Sequence, residues 1–230
     1  MYDKGVYQYI EIYYLPDTSG DVINLWKSLG IPYVIHAPHY QSGLNLAKSE
    51  SKERNMNLIK ETMHFADSLS VEKIIVHPGV AGDINETARQ LIEINDHRLL
   101  VENKPYYALF DGLICNGATA GEIGFLMNEA SIGCCLDIGH AFCAARGLNK
   151  DPMEFIDEFF CLKPEIFHLT DGDYHSAYDR HDHIGEGNYD IKAIMKLIPD
   201  GNKVTVETVK DYKDRLNDFE DDICNIKCLI

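Results

Sequence analysis

Basic side chains are scarce in this chain: 21 Lys and Arg stand against 37 Asp and Glu, a formal charge of −16. A surface of that sign repels polyanions and argues against binding nucleic acid through bulk charge. Metal ions held by some of the carboxylates would reverse the field locally, so the argument covers the surface and not a metal centre. Paired cysteines are lacking as well. The 7 cysteines are odd in number and show no CxxC spacing, which argues against a disulfide framework and fits free, buried, reduced thiols. No apolar run approaches the roughly 18 residues of a membrane span, and no signal-peptide pattern opens the sequence. A cytoplasmic protein without a membrane partner is therefore expected. Repeats, linkers and low-complexity segments are missing too, so the chain reads as a single domain over residues 1–230.

What is present is a series of short apolar runs, each ending in a histidine or an acid. They close at His36, His77, Glu102, Asp137, His168 and Glu207. Their length and unbroken hydrophobicity are those of parallel strands buried on both faces. Helical patterns alternate with them, near residues 18–29, 48–69, 85–94, 120–128, 152–162, 191–197 and 213–226. Asp151-Pro152 reads as an Asp cap followed by a first-turn proline. Parallel strands separated by helices present their C-terminal ends on one face, so the six polar termini should converge there. A ring of His, Asp and Glu in one place describes a divalent-metal site with more ligands than one ion needs.

Counting from Tyr9–Tyr13 onward gives seven strands. The expected fold is a TIM-type (β/α) barrel lacking its first βα unit, and an unpaired edge at the gap would favour self-association. Further polar segments extend the ring. His140 follows Asp137 by three residues at the mouth of the next helix, and Asp179-Arg180-His181 leads into Gly185-Glu186-Gly187-Asn188.

Taken together, these stretches resemble the endonuclease IV family, AP endonuclease family 2, among the xylose-isomerase-like barrels. The resemblance rests on His36-Ala37-Pro38 with Asn45-Leu46-Ala47, His77-Pro78-Gly79, Val101-Glu102-Asn103, Leu136 to Phe142, Phe167 to Asp171, Asp179-Arg180-His181 and Val206-Glu207-Thr208, all in family order. It implies up to three zinc ions. His36 and His77 would hold the first and Glu102 would bridge it to the second. Asp137, His168 and Glu207 would complete the second; His140, Asp179 and His181 would hold the third. Imidazoles and carboxylates without thiolates suit Zn²⁺, with Mn²⁺ or Mg²⁺ as alternatives. The implied reaction is metal-hydroxide attack on a phosphodiester, as at an abasic site in DNA, with Glu102, Asp137 and Glu207 at its centre. Lys104, Arg180, Glu186 and His39 stand beside the ligands as candidate substrate contacts.

Two departures bear on the substrate. The loop after the first strand, Leu15 to Ser19, carries no basic residue, and Glu102 is followed by Asn103-Lys104-Pro105-Tyr106-Tyr107 rather than the family's Thr-Ala-Gly. The DNA grip is thus less secure than the metal chemistry, and a phosphodiester or sugar phosphate is the expected partner. The alternative is a sugar isomerase or epimerase of the same superfamily. It would use one Mn or Mg ion at Glu102, Asp137, His168 and Glu207, with two carboxylates moving protons.

Overall fold

The computed structural model describes residues 2–109 and 112–229. Seven strands form one sheet in sequential order: β1 (Ile10–Tyr13), β2 (Tyr33–His36), β3 (Ile74–Val76), β4 (Leu99–Glu102), β5 (Gly133–Asp137), β6 (Ile166–Leu169) and β7 (Lys203–Val206). Every neighbouring pair is parallel. Between them run α1 (Gly20–Ser28), α2 (Lys52–Ser68), α3 (Ile84–Ile94), α4 (Ala120–Ala130), α5 (Ile138–Gly147), α6 (Pro152–Phe160) and α7 (Ile191–Leu197), with α8 (Asn217–Leu229) last. The (β/α) barrel and its seven strands are as the sequence implies.

Strand alternation sorts the side chains into two sets. Ile35, Ile74, Val76, Leu99, Val101, Cys134, Leu136, Phe167 and Leu169 face the helices and form the main core. Val34, Ile75, Leu100, Cys135 and Ile166 form a separate buried cluster with Tyr9, filling the barrel axis. The residue two positions after each member of this inner cluster is polar: Glu11, His36, His77, Glu102, Asp137 and His168. A dry apolar plug therefore lies directly beneath a polar layer, and one period-2 pattern builds both.

β1 and β7 share no backbone ladder. The seam between them is spanned by side chains: Tyr9 Oη lies 2.8 Å from Thr205 Oγ1, and Thr205 donates to Glu11 Oε2 at 2.9 Å. Outside the seam, Val6, Ile10, Val204, Phe219 and Ile223 line an apolar groove of about 360 Å³.

Local signals account for the helix ends. Thr119 and Glu122 close a capping box on α4. Asp151 caps α6 ahead of Pro152. α8 begins later than its periodicity implies, at Asn217, because Asp218 accepts from Lys210 and from the Asp211 amide and pulls the preceding residues into a loop. The thiols differ from expectation in one respect. Cys115, Cys134, Cys135 and Cys143 are free and buried, but Cys161, Cys224 and Cys228 are exposed. No helix among the described residues is long and apolar enough to cross a membrane.

Candidate metal centre

The barrel delivers the polar residues as the strand pattern demands. His36, Glu102 and Asp137 are the last residues of β2, β4 and β5, and His77 and Glu207 directly follow β3 and β7. His168 sits one residue before the end of β6. His140 is in the first turn of α5, and Asp179 and His181 come from the long β6–α7 connection.

These nine residues fall into three groups, the first two sharing the Glu102 carboxylate: His36, His77 and Glu102; Glu102, Asp137, His168 and Glu207; and His140, Asp179 and His181. Within each group the donor atoms lie within 4.8 Å of one another. His36 Nε2 and His77 Nε2 stand 2.9 and 3.0 Å from Glu102 Oε2. His181 Nε2 and His140 Nε2 stand 2.7 and 3.3 Å from Asp179 Oδ2. In the second group, His168 Nδ1 is 2.7 Å from Glu207 Oε2 but off hydrogen-bond geometry.

Four buried atoms lack a hydrogen-bond partner there: Glu102 Oε1, Asp137 Oδ2, His168 Nδ1 and Glu207 Oε2. They are one atom from each residue of the second group. Orphaned buried polar atoms are costly and rare, and their convergence is what a cation-binding cage requires. The donor set fits a divalent ion of the zinc or manganese type.

The imidazoles are aimed by their far nitrogens. His36 Nδ1 lies 2.8 Å from the Ala37 carbonyl, His140 Nδ1 3.0 Å from that of Asn103, and His181 Nδ1 2.6 Å from that of Glu207. A carbonyl can only accept, so each Nδ1 carries a proton and each Nε2 is left to face the site. His168 is turned the other way: its Nε2 lies 3.0 Å from Glu11 Oε2, freeing Nδ1. Asp137 divides its oxygens, Oδ1 accepting from the His140 amide at 2.7 Å as the cap of α5 while Oδ2 faces the second group. Gly139 permits this turn, since a Cβ there would stand 2.6 Å from Thr170 Cγ2. His181 adopts a left-handed backbone with φ of 51°, a conformation uncommon for a residue with a Cβ, held here by the carbonyl of Glu207.

The electrostatics follow from these neighbours. Burial opposes charge on Glu102, but His77, His140 and His36 hold its carboxyl well below the usual carboxylate range. Burial pushes Asp137 up to about 6 despite His140. Burial disfavours the His140 imidazolium, yet Asp137 and Asp179 raise it to about 10. His181, likewise opposed by burial, is raised by Asp179 to about 9. Burial and the Lys104 ammonium drive His77 well below its ordinary value and His39 to about 4.

Of the four candidate substrate contacts, two line the cavity above the ligands. Its volume is about 300 Å³, and His39 and Lys104 form part of its wall with Tyr13, Tyr40 and Pro105. Arg180 and Glu186 do not; both are exposed, and Arg180 pairs with Asp182 at 3.1 Å. The polar loop that carries them turns outward because Asp171, buried beneath it, accepts from the amides of Gly172, Gly185 and Tyr189.

Two residues that hold the centre together go beyond the strand-end pattern. Glu11 orients His168, and the strand alternation Tyr9-Ile10-Glu11 was the signal for it. Asn103 accepts from the Asp137 amide at 2.7 Å and donates to the Asp137 carbonyl at 2.9 Å, tying β4 to β5 at ligand height.

The chain belongs to the xylose isomerase-like TIM barrel family, whose sequence profile matches residues 7–223. A probable endonuclease 4 of Thermoplasma volcanium is 30% identical over 183 residues, which cover 73% of this chain and 62% of that protein; the chain thus spans less than two thirds of this relative. Among solved structures, a D-tagatose 3-epimerase-like protein superposes with a TM-score of 0.74 at 22% identity, covering 97% of this chain and 90% of the other. Endonuclease IV from Thermus thermophilus superposes with a TM-score of 0.71, also at 22% identity, covering 96% and 87%. At that identity the two structures speak for the fold alone. The chain thus joins that family, with buried His, Glu and Asp groups of the kind that hold divalent ions.

Proposed function

We propose that the protein is a phosphodiester hydrolase working with three divalent ions, zinc by preference. The observation that carries this reading is the existence of the first and third groups. A one-ion isomerase is served by Glu102, Asp137, His168 and Glu207; it has no need of His36 and His77 on one side or His140, Asp179 and His181 on the other.

When bound, such ions supply Lewis acidity toward a phosphoryl oxygen and a water acidified enough to attack phosphorus at neutral pH. The chain supplies the rest. Glu102 offers one oxygen to the first group and one to the second, fixing their spacing. Asp137, His168 and Glu207 complete the second group, and the carbonyls behind His36, His140 and His181 keep each ring aimed. The apolar plug excludes water from below, leaving the cavity mouth as the approach for substrate.

A second reading, epimerisation of a small sugar on the second group alone, is favoured by the small cavity. The two separate at Asp179, which belongs only to the third group. With zinc- or manganese-loaded protein, hydrolysis of bis(p-nitrophenyl) phosphate and incision of an abasic-site duplex are assayed beside epimerisation of ketohexoses. Under the hydrolase reading Asp179→Asn lowers phosphoester hydrolysis by at least about a hundredfold. Ketose turnover without phosphoester cleavage, unaffected by Asp179→Asn, would overturn it.

A further inference from the structure

Glu102 is followed by a segment of unusual build. Residues 104–108 and 113–117 run antiparallel: Lys104 donates to the Gly117 carbonyl, Cys115 to that of Tyr106 and Ala108 to that of Leu113. Val80 pairs with Cys115, and the Asn116 amide donates to Gly79, so this hairpin is pinned to the loop carrying His77. Lys104, Pro105, Ala108, Leu109 and Cys115 form one wall of the 300 Å³ cavity.

The hairpin places one cation over the centre. Lys104 Nζ stands 3.4 Å from His77 Nε2 and 3.2 Å from His140 Nε2, at the boundary between the first and third groups. Its stem is half-buried, and among the described residues its ammonium meets these imidazoles and no carboxylate. An ammonium fixed by a rigid strand, facing a cavity and unmatched by an acid, is suited to an anion arriving from solvent. The rest of the cavity wall is tyrosine, histidine and apolar contact with Gln41, and the carboxylates on it, Asp179 and Glu207, are ligand-type residues of the third and second groups. At about 300 Å³ the space lies at the lower end of small-molecule sites, and the hairpin encloses it from one side.

Resting on the hydrolase reading above, we infer that Lys104 is the specificity-determining contact to the substrate's phosphate, and that the hairpin confines the substrate to a small phosphate ester. The ammonium donates to a non-bridging phosphate oxygen that lies between the first and third groups.

The test uses full-length metal-loaded protein, with Lys104→Met and Lys104→Arg as variants and metal content measured on each. Binding of inorganic phosphate is followed by calorimetry, which needs no turnover. Lys104→Met is expected to weaken phosphate binding about tenfold or more, and Lys104→Arg to recover most of it, with metal content unchanged. For bis(p-nitrophenyl) phosphate the loss falls mainly on KM, and the small diester is cleaved in preference to an abasic-site duplex. Phosphate affinity unmoved by Lys104→Met overturns the inference. So does a fall in metal content that accounts for the loss, because Lys104 would then be supporting the ligand cage. Preferred cleavage of the duplex, with Lys104→Met without effect on it, overturns the size restriction. If phosphate binding depends on Lys104 but no ester is cleaved, the hydrolase reading fails while the phosphate contact stands.

Discussion

At the scale of single residues, the centre depends on which nitrogen of each ring faces inward. Four of the five imidazoles among the nine ligand-type residues have their other nitrogen against a carbonyl or carboxylate, and for His168 that partner is Glu11. Glu11→Ala removes this partner without touching any ligand. It is expected to weaken metal binding at the second group by about 10- to 100-fold, measured by competition with a chromophoric chelator. Charge gives a further residue-scale expectation. In the metal-free protein His140 and His181, raised to about 10 and about 9, carry protons at pH 7. A metal must displace those protons. Below these values protons compete for the nitrogens, so affinity climbs with pH and levels off only as pH passes through them. Calorimetric titration at pH 7 in buffers of different ionisation enthalpy should show release of about two or more protons per chain; a buffer-independent heat contradicts this. The ligand residues themselves were legible in sequence because each closes an apolar run. Glu11 closes no run, because Ile12 and Tyr13 continue its strand beyond it, and only the alternation from Tyr9 marks the carboxylate.

At the scale of elements, strands and most helices could be read from periodicity and caps, since both patterns act within a few residues. The hairpin after Glu102 could not be read so directly. Its strands are a few residues long, and their partners are chosen by the loop after His77. Asn103 shows the same limit. As a lone polar residue after a strand it carries no pattern, yet it links β4 to β5 and accepts the His140 ring on its carbonyl. It is fully buried, and Asn103→Ala removes the side-chain acceptor of the Asp137 amide and one of the donors to its carbonyl. A loss of about 2–4 kcal/mol in chemical denaturation is expected, with weaker binding of metal. Stability within a few tenths of wild type would mean that water replaces both bonds.

At the scale of the whole molecule, seven strands close around the centre only with help from side chains. The Tyr9–Thr205–Glu11 bridge spans the seam and ends on His168, so barrel closure and ligand orientation share one hydrogen-bond chain. Thr205→Val keeps the shape and removes the bridge. It is expected to cost about 1–3 kcal/mol and to loosen the second group, read as reduced metal affinity. The strand count was legible; how β1 and β7 meet was not, because it depends on residues nearly the whole chain apart. Loaded ions should also stabilise the fold as a unit, since the native state alone assembles the three groups. The account rests most directly on their number. Metal content per chain, measured by plasma mass spectrometry on protein purified without chelators or a nickel column, is predicted to approach three zinc ions or their manganese equivalent. A single ion per chain, unchanged when zinc is added to saturation, would contradict the three-ion centre and leave the second group to act alone.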